Sequence, residues 1–266
     1  MKETLPLSSA DLALAGLLVL ALAAVARVRG LGVSGSLLIA AARMALQLTL
    51  VGLVLATLFR TTNPLWVALM ALAMLAIAGR EVAARQKRRL VGWWGFGIGT
   101  GSMFVSAFAV TVFGLAVAVR ADPWYTPQYA IPILGMLLGN TMNGIALCLD
   151  RITEGAWQQR EIIEQRLMLG EDRQTALGDL RREAVRAAMI PVINAMSVAG
   201  VVSLPGMMTG QILGGNPPGE AVKYQILIWF LIAAGSGCGM LIAVALAGRR
   251  LFDERHRLRL DRLGEP

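Results

Sequence analysis

Two short stretches of the 266-residue chain carry side chains able to do recognisable chemistry. Gly135-Met136-Leu137-Leu138-Gly139-Asn140 follows Pro132, and Gly206-Met207-Met208-Thr209-Gly210-Gln211 follows Pro205. Each combines methionine thioethers with an amide. Soft sulfur suits soft metal ions and amide oxygen suits harder ones. No carboxylate stands close to either stretch, so a tight site for a bare metal ion is not indicated. Two readings stand side by side. Glycines four apart let helix backbones approach closely, which would make these packing positions. Alternatively, two broken or kinked segments bring the Met and Asn/Gln groups to a shared cavity, because interrupted backbone at membrane depth is buried in protein or lines a pathway.

Other polar groups sit inside apolar runs. Asn140 and Asn143 are three apart and share roughly one helical face; an unpartnered amide in lipid is costly, so that face turns inward, towards a solute or towards a neighbouring helix. Asn194 and Ser197 form a similar pair. Arg43, with Gln47 one turn on, is the one charge well inside a run; it is either a functional intramembrane charge or an arginine that snorkels from an interfacial elbow to the headgroups. Gly95, Gly97, Gly99 and Gly101 follow Trp93 and Trp94 in a membrane run with no Lys-Ser/Thr behind them, so they are not a phosphate loop. No Walker A sequence occurs anywhere, so any ATPase is a separate polypeptide. Cys148 and Cys238 lie on no metal-ligand spacing. His256, the one histidine, falls in a solvated basic tail, and no catalytic residue or metal site is expected.

The elements that must position these groups are membrane helices. Hydrophobic residues make up 56% of the chain, charged residues only 16%, and the mean hydropathy is +0.62, outside the range of a soluble domain. A bilayer core of about 30 Å needs roughly 20 helical residues. Seven apolar runs approach that length: Ala10–Val28, Leu31–Phe59, Pro64–Gly79, Val91–Val119, Ala130–Leu149, Val185–Leu204 and Tyr224–Ala247. Of the 25 Lys and Arg residues, 20 fall after the first, third and fifth runs and in the C-terminal tail; Lys2, Arg60, Arg120 and Lys223 fall on the other side. Basic loops stay cytoplasmic, which predicts the N-terminus outside and the C-terminus inside. The net charge of +8 therefore calls for no nucleic acid. Lys2 with Glu3 precede the first run and arginines follow it, the reverse of a cleaved signal peptide.

The interval from 150 to 186 is the one extended polar piece, too short to bury a core. It predicts two helices, the first broken at Gly170 and the second capped by Asp172, with Ile163, Leu167 and Gly170 on one face and Ala176, Leu177, Leu180 and Ala184 forming an apolar stripe. Either it rests on lipid headgroups or it docks a cytoplasmic partner.

Glu164-Gln165-Arg166-Leu167-Met168-Leu169-Gly170, followed by Ala176, resembles the EAA loop of bacterial ABC-transporter permeases. The Glu-to-Gly spacing matches, while Gln165 and Arg166 replace two alanines and the proline comes late, at Pro191. Together with IPILGMLLGNTMNGIALCLDR (131–151), SLPGMMTGQILGGNPPGEAVKYQ (203–225) and the Arg43/Gln47 stretch, the chain resembles the FetB-type permease family from about Arg43 to Arg250. Members of that family are linked to bacterial iron export and include the membrane subunit of a plant aluminium-tolerance transporter.

The resemblance implies an all-α, multi-pass protein of the bacterial cytoplasmic membrane, a single permease domain over 1–266 in contact with membrane lipid. It implies pairing with a second copy and with a cytoplasmic ATPase that holds ATP and Mg. Coupling falls to Glu164, Leu167, Gly170 and Ala176. The solute path falls to Asn140, Asn143, Asn194, Met207, Met208 and Gln211. Gating falls to Arg43, Gln47, Gly135, Gly139, Pro191, Pro205, Gly206 and Gly210, with an extracytoplasmic loop at 205–222 and a basic tail at 248–266. A stand-alone carrier and a non-transporting scaffold are the alternatives. The absence of central Asp, Glu or His counts against the ion-coupled carrier.

Overall fold

The computed structural model describes residues 8–60 and 63–264, all helical apart from turns and isolated bridging pairs; Lys2 and Glu3 lie outside the described residues. The helices are α1 (Ser9–Val28), α2 (Ser34–Leu58), α3 (Pro64–Ala84), α4 (Trp94–Val119, with two π-helical turns), α5 (Pro127–Gln158), α6 (Arg160–Met168), α7 (Arg173–Ala176), α8 (Gly178–Val198), α9 (Gly206–Leu213) and α10 (Pro218–Arg250). Their starts carry ordinary capping chemistry. Ser8 and Asp11 form a reciprocal capping box on α1, and Asn63 accepts from the Leu65 amide ahead of α3, where Pro64 needs no donor. Among the described residues, α1, α2, α3, α4, α5 and α10 are long and apolar enough to cross a membrane.

The chain divides into two compact units: the part before Asn63 with Ile212–Asn216, and Asn63–Gln211 with the residues from Pro217 on. In the first, α1 and α2 pack on one another across a turn in which Gly30 and Gly32 take φ of +66° and +70°. α2 is one helix from Ser34, with no elbow before Arg43. At about 1.5 Å per residue, Arg43 lies about 14 Å along it.

In the second unit, the order of contacts gives the direction of every helix. Leu137, Thr141 and Gly144 of α5 meet Gly235, Ser236 and Met240 of α10, so those two helices run parallel. Gly114, Val110 and Ser106 of α4 meet Leu231, Gly235 and Gly239, so α4 runs against them. Met74 and Arg85 of α3 meet Gly135 and Asn143, so α3 is parallel to α5. Parallel α5 and α10 require the chain between them to return the full length of the pair. α8 begins that return: Leu177 and Arg181 lie at Gly248, and Met189 at Gly237, antiparallel to α10.

The sixth apolar run differs from its expectation. α8 is helical from Gly178 but stops at Val198, and its apolar part from Val185 covers only about 21 Å. Gly200 at φ +84° donates to the Ser203 carbonyl and turns the chain before Leu204. A hydropathy run has no means of locating a break set by a glycine conformation. The supposed loop at 205–222 is largely helical, holding α9 and the start of α10. The described part of the tail is a folded hook rather than a loose basic end: the amides of Val91 and Gly264 donate to the carbonyls of Arg262 and Arg89, at 2.8 and 2.7 Å.

The α4–α5–α10 contact rests on small residues. A Cβ built on Gly239 would stand 2.7 Å from Ser106 Oγ and 2.8 Å from Thr141 Cγ2, and one on Gly144 2.8 Å from Met240 Cε. We expect Gly239→Val to lower stability by about 1–3 kcal/mol through overpacking. Gly139→Ala, where a Cβ meets nothing within 4 Å, should leave it unchanged; thermal melting in detergent compares the two.

Candidate functional site

All the arginine-rich segments of the larger unit gather at one end, where α3, α5 and α10 finish and α4 and α8 begin. The ends are built onto one another. α5 is 32 residues long, about 48 Å at 1.5 Å per residue, and outruns a bilayer core of about 30 Å. Its surplus forms the first part of what the sequence presented as a polar interval. There Asp150 accepts from the Lys87 amide at 2.8 Å, and Glu154 meets Arg88 Nε at 3.2 Å. The Arg88 guanidinium also covers the Trp157 ring at 4.0 Å, a cation–π contact that needs no second acid.

On this platform sit α6 and α7. α6 ends in a Schellman motif: the Gly170 amide donates to Leu167 O and the Glu171 amide to Arg166 O, with Gly170 at φ +91°. Asp172 then caps α7 by accepting from the Thr175 amide at 2.8 Å. That hydrogen bond holds the Asp172 carboxyl below its ordinary range. The break and the cap both fall where the sequence expects them.

The apolar stripe does not rest on headgroups. Ala176, Leu177, Leu180 and Ala184 are buried, and Leu180 covers Gly155 of α5 so closely that a Cβ there would lie 2.3 Å from it. Ala176 therefore supports the surface from within, while Glu164 and Gly170 are exposed and Leu167 is half-buried. Sequence reasoning missed Met168 and Leu169, which are 79% and 85% exposed. The only signal for them was two large apolar residues closing an otherwise polar helix. Ile163 anchors α6 inward, and Arg166 reaches Asp179 of α8 at 2.9 Å. The result is a braced helix–turn–helix presenting Glu164, Met168 and Leu169 outward.

The expected path residues are less unified. Asn140 is half-buried and donates to Met136 O of its own helix at 2.9 Å. Asn143 is exposed and accepts from Arg85 at 2.6 Å, beside Glu81, so the two amides serve different partners. α5 runs unbroken through Pro132, and α8 through Pro191. The helical path is interrupted at Ala199–Pro205 and again between Leu213 and Pro218. Past the first break, Met207, Met208 and Gln211 are half-buried on α9, and Gln211 Oε1 is buried with no partner. Asn194 is exposed on α8, as are Arg43 and Gln47 on α2. Gly139, Gly206 and Gly210 face open space, whereas a Cβ built on Gly135 would stand 3.2 Å from Met74 Cε. Among the described residues no group of three His, Cys, Asp or Glu side chains is placed to hold a metal ion.

Comparison with known proteins adds to this geometry. A family model described as "Uncharacterised protein family (UPF0014)" matches residues 9–252. The chain is 38% identical over 234 residues to the "UPF0014 membrane protein slr1647" of Synechocystis, covering 86% of this chain and 88% of that one. It is 30% identical over 262 residues, 97% of both chains, to the "Probable iron export permease protein FetB" of Escherichia coli. It is 32% identical over 222 residues to the "UPF0014 membrane protein STAR2" of rice, covering 84% of this chain and 76% of that one. No solved structure matches it.

The Arg166–Asp179 pair generates a pH expectation. The hydrogen bond from Arg166, then that from Arg182, holds the Asp179 carboxyl below its ordinary value. A depressed carboxylate stabilises the fold fully above its unfolded pKa of about 3.9 and loses that contribution as pH falls through the lowered folded value. Hydrogen exchange of the α6 amides should be flat from pH 7 to about 5 after correction for intrinsic rates. Asp179→Asn should raise it at pH 7.

Proposed function

The chain belongs to the UPF0014 family of membrane proteins, and from that premise we propose that it is the membrane-spanning permease subunit of an ATP-driven ABC exporter. One observation carries the reading: the outward-facing α6–α7 turn is braced through Arg166–Asp179 and Leu180–Gly155 onto α5, a helix that both crosses the membrane and projects beyond it. A push on α6 is therefore transmitted to a transmembrane helix as a rigid body. A surface element lying loosely on lipid would absorb it.

In this reading a separate cytoplasmic ATPase, holding ATP and Mg, seats against Glu164, Met168 and Leu169. The permease works as a pair of copies in the bacterial cytoplasmic membrane. α8 with its broken outer end makes the seventh crossing, supported by the parallel α5–α10 register, and the N-terminus lies outside and the C-terminus inside. The substrate is iron or another metal-related solute, a class supported by the name of the E. coli relative and by the thioether and amide lining offered by Met207, Met208 and Gln211. ATP-driven closure of the ATPases moves α6, α5 follows, and access changes at the Ala199–Pro205 break.

The test is co-purification in mild detergent with candidate ATPases encoded by the same cell. Wild type should retain one stoichiometrically, and Leu169→Asp should lose it with an unchanged melting temperature. Gly170→Trp, which forces a side chain into φ +91°, should lose it as well. If no ATPase is retained by folded wild type and purified vesicles carry the solute without one, the stand-alone carrier replaces this reading. In reconstituted vesicles with the ATPase, iron flux should require ATP; coupling without flux of any metal solute would indicate the scaffold.

A further inference from the structure

At the arginine-rich end of the larger unit, an open groove of about 900 Å³ lies where α4 begins and α10 ends, closed on one side by the C-terminal hook. Its wall is apolar, made by Trp93, Trp94 and Leu246, and its rim carries Arg249, Arg250 and Arg262. Among the described residues no carboxylate lines it. The arginines are positioned by groups that leave their charge intact. Arg250 lies over the Trp94 ring at 4.4 Å. Arg262 donates to the carbonyls of Arg250 and Phe252, at 2.8 and 3.1 Å. Asp261, next to Arg262 in sequence, is engaged by Arg259 through two bonds of 2.8 Å. Arg249 is exposed. None of the three rim arginines makes an ion pair among the described residues.

The ligand that satisfies this groove has two chemical parts. Three guanidinium groups without an ion pair among the described residues, with Asp261 acting on Arg250 and Arg262 only from beyond contact, call for an anion with more than one acceptor oxygen, as a phosphate presents. The apolar wall calls for hydrocarbon, and its indoles stand at the start of α4, the end of a membrane-length helix, where tryptophan favours the boundary between acyl chains and headgroups. A soluble phosphate would leave the wall wet, and a zwitterionic headgroup would bring a cation to a positive rim. We propose that the groove is a binding site for an anionic phospholipid, with an acyl chain along Trp93, Trp94 and Leu246 and the phosphate held by Arg249, Arg250 and Arg262. The lipid then joins α4, α10 and the hook, securing the end of the bundle through a component of the membrane itself.

The experiment uses the full chain, delipidated in mild detergent, with lipid retention read by native mass spectrometry and the melting midpoint by thermal shift. Phosphatidylglycerol, phosphatidylcholine of the same acyl chains, and inorganic phosphate are the probes. Wild type should retain phosphatidylglycerol with about tenfold preference over phosphatidylcholine and melt higher with it, while inorganic phosphate at equal concentration has no effect. Arg249→Gln/Arg250→Gln should bring the two lipids to near parity. Should that variant not fold, Arg249→Gln alone, at an exposed side chain, should reduce the preference several-fold. Equal retention of both lipids by wild type, equal protection by inorganic phosphate, or an undiminished preference in the folded variant would overturn the proposal. An ATPase retained in the absence of lipid preference would sink this inference alone and leave the transporter reading standing.

Discussion

Everything in the larger unit depends on how closely α5 and α10 can approach. In a bilayer, lipid tails are as apolar as leucine, so helices gain little by merely hiding hydrocarbon from one another and depend on close van der Waals contact and shared polar groups. Gly235, Gly239 and Gly144 supply the closeness; Thr141 and Ser236, whose hydroxyls lie 3.4 Å apart in the buried interface, supply the polar contact. Because the two helices run parallel, the chain cannot join them by a short turn. It must travel back along the pair, and that requirement brings the polar interval, α8 and the α9 segment into one continuous excursion. The braced α6–α7 turn and the half-buried Met207, Met208 and Gln211 therefore all lie in the connection between two packed helices.

The same constraint explains why the basic end is structured. Helices that meet tightly in the membrane deliver their ends to one place, and the cations there engage one another's backbones, acids and rings. Arg88 is shared between Glu154 and Trp157, Lys87 gives its amide to Asp150, and Arg166 ties α6 to α8. Individually the exposed pairs among these are weak. Their effect here is geometric: they orient a nine-residue helix that has too little apolar surface to hold its own position.

Much of the fold was legible in the chain itself. Apolar runs separated by arginine-bearing segments marked the long helices, since a membrane imposes both a length and a sign on its sequence. Local chemistry was equally readable. Gly170 ends α6 and Asp172 begins α7 because a left-handed cap and a side-chain acceptor act within a few residues of their own position. The candidate site was legible in part: Ile163 turns inward on α6 and Glu164 outward, as successive positions of a helix imply, whereas Gly170, placed by the period on the Ile163 face, is exposed at the cap.

Other choices were made only by the tertiary structure. Of the glycine pairs 135/139, 206/210 and 235/239, Gly239 has the tightest neighbours, a Cβ on Gly235 would meet only ordinary contacts, and 139, 206 and 210 face open space. Asn143 goes to Arg85, 58 residues away, and Asn140 to its own helix. The tail, which reads as solvated charge, becomes through Gly264 a hook bonded to a segment some 170 residues earlier. By itself the sequence determined which long apolar segments are helices, where α6 and α7 cap and which ends bear charge, because those follow from the period of the chain and the nature of its solvent. Which face of each helix is pressed against protein, and so which glycine, amide or arginine is occupied and which is left to act, was decided by contacts between residues far apart, and no local pattern encodes a distant neighbour.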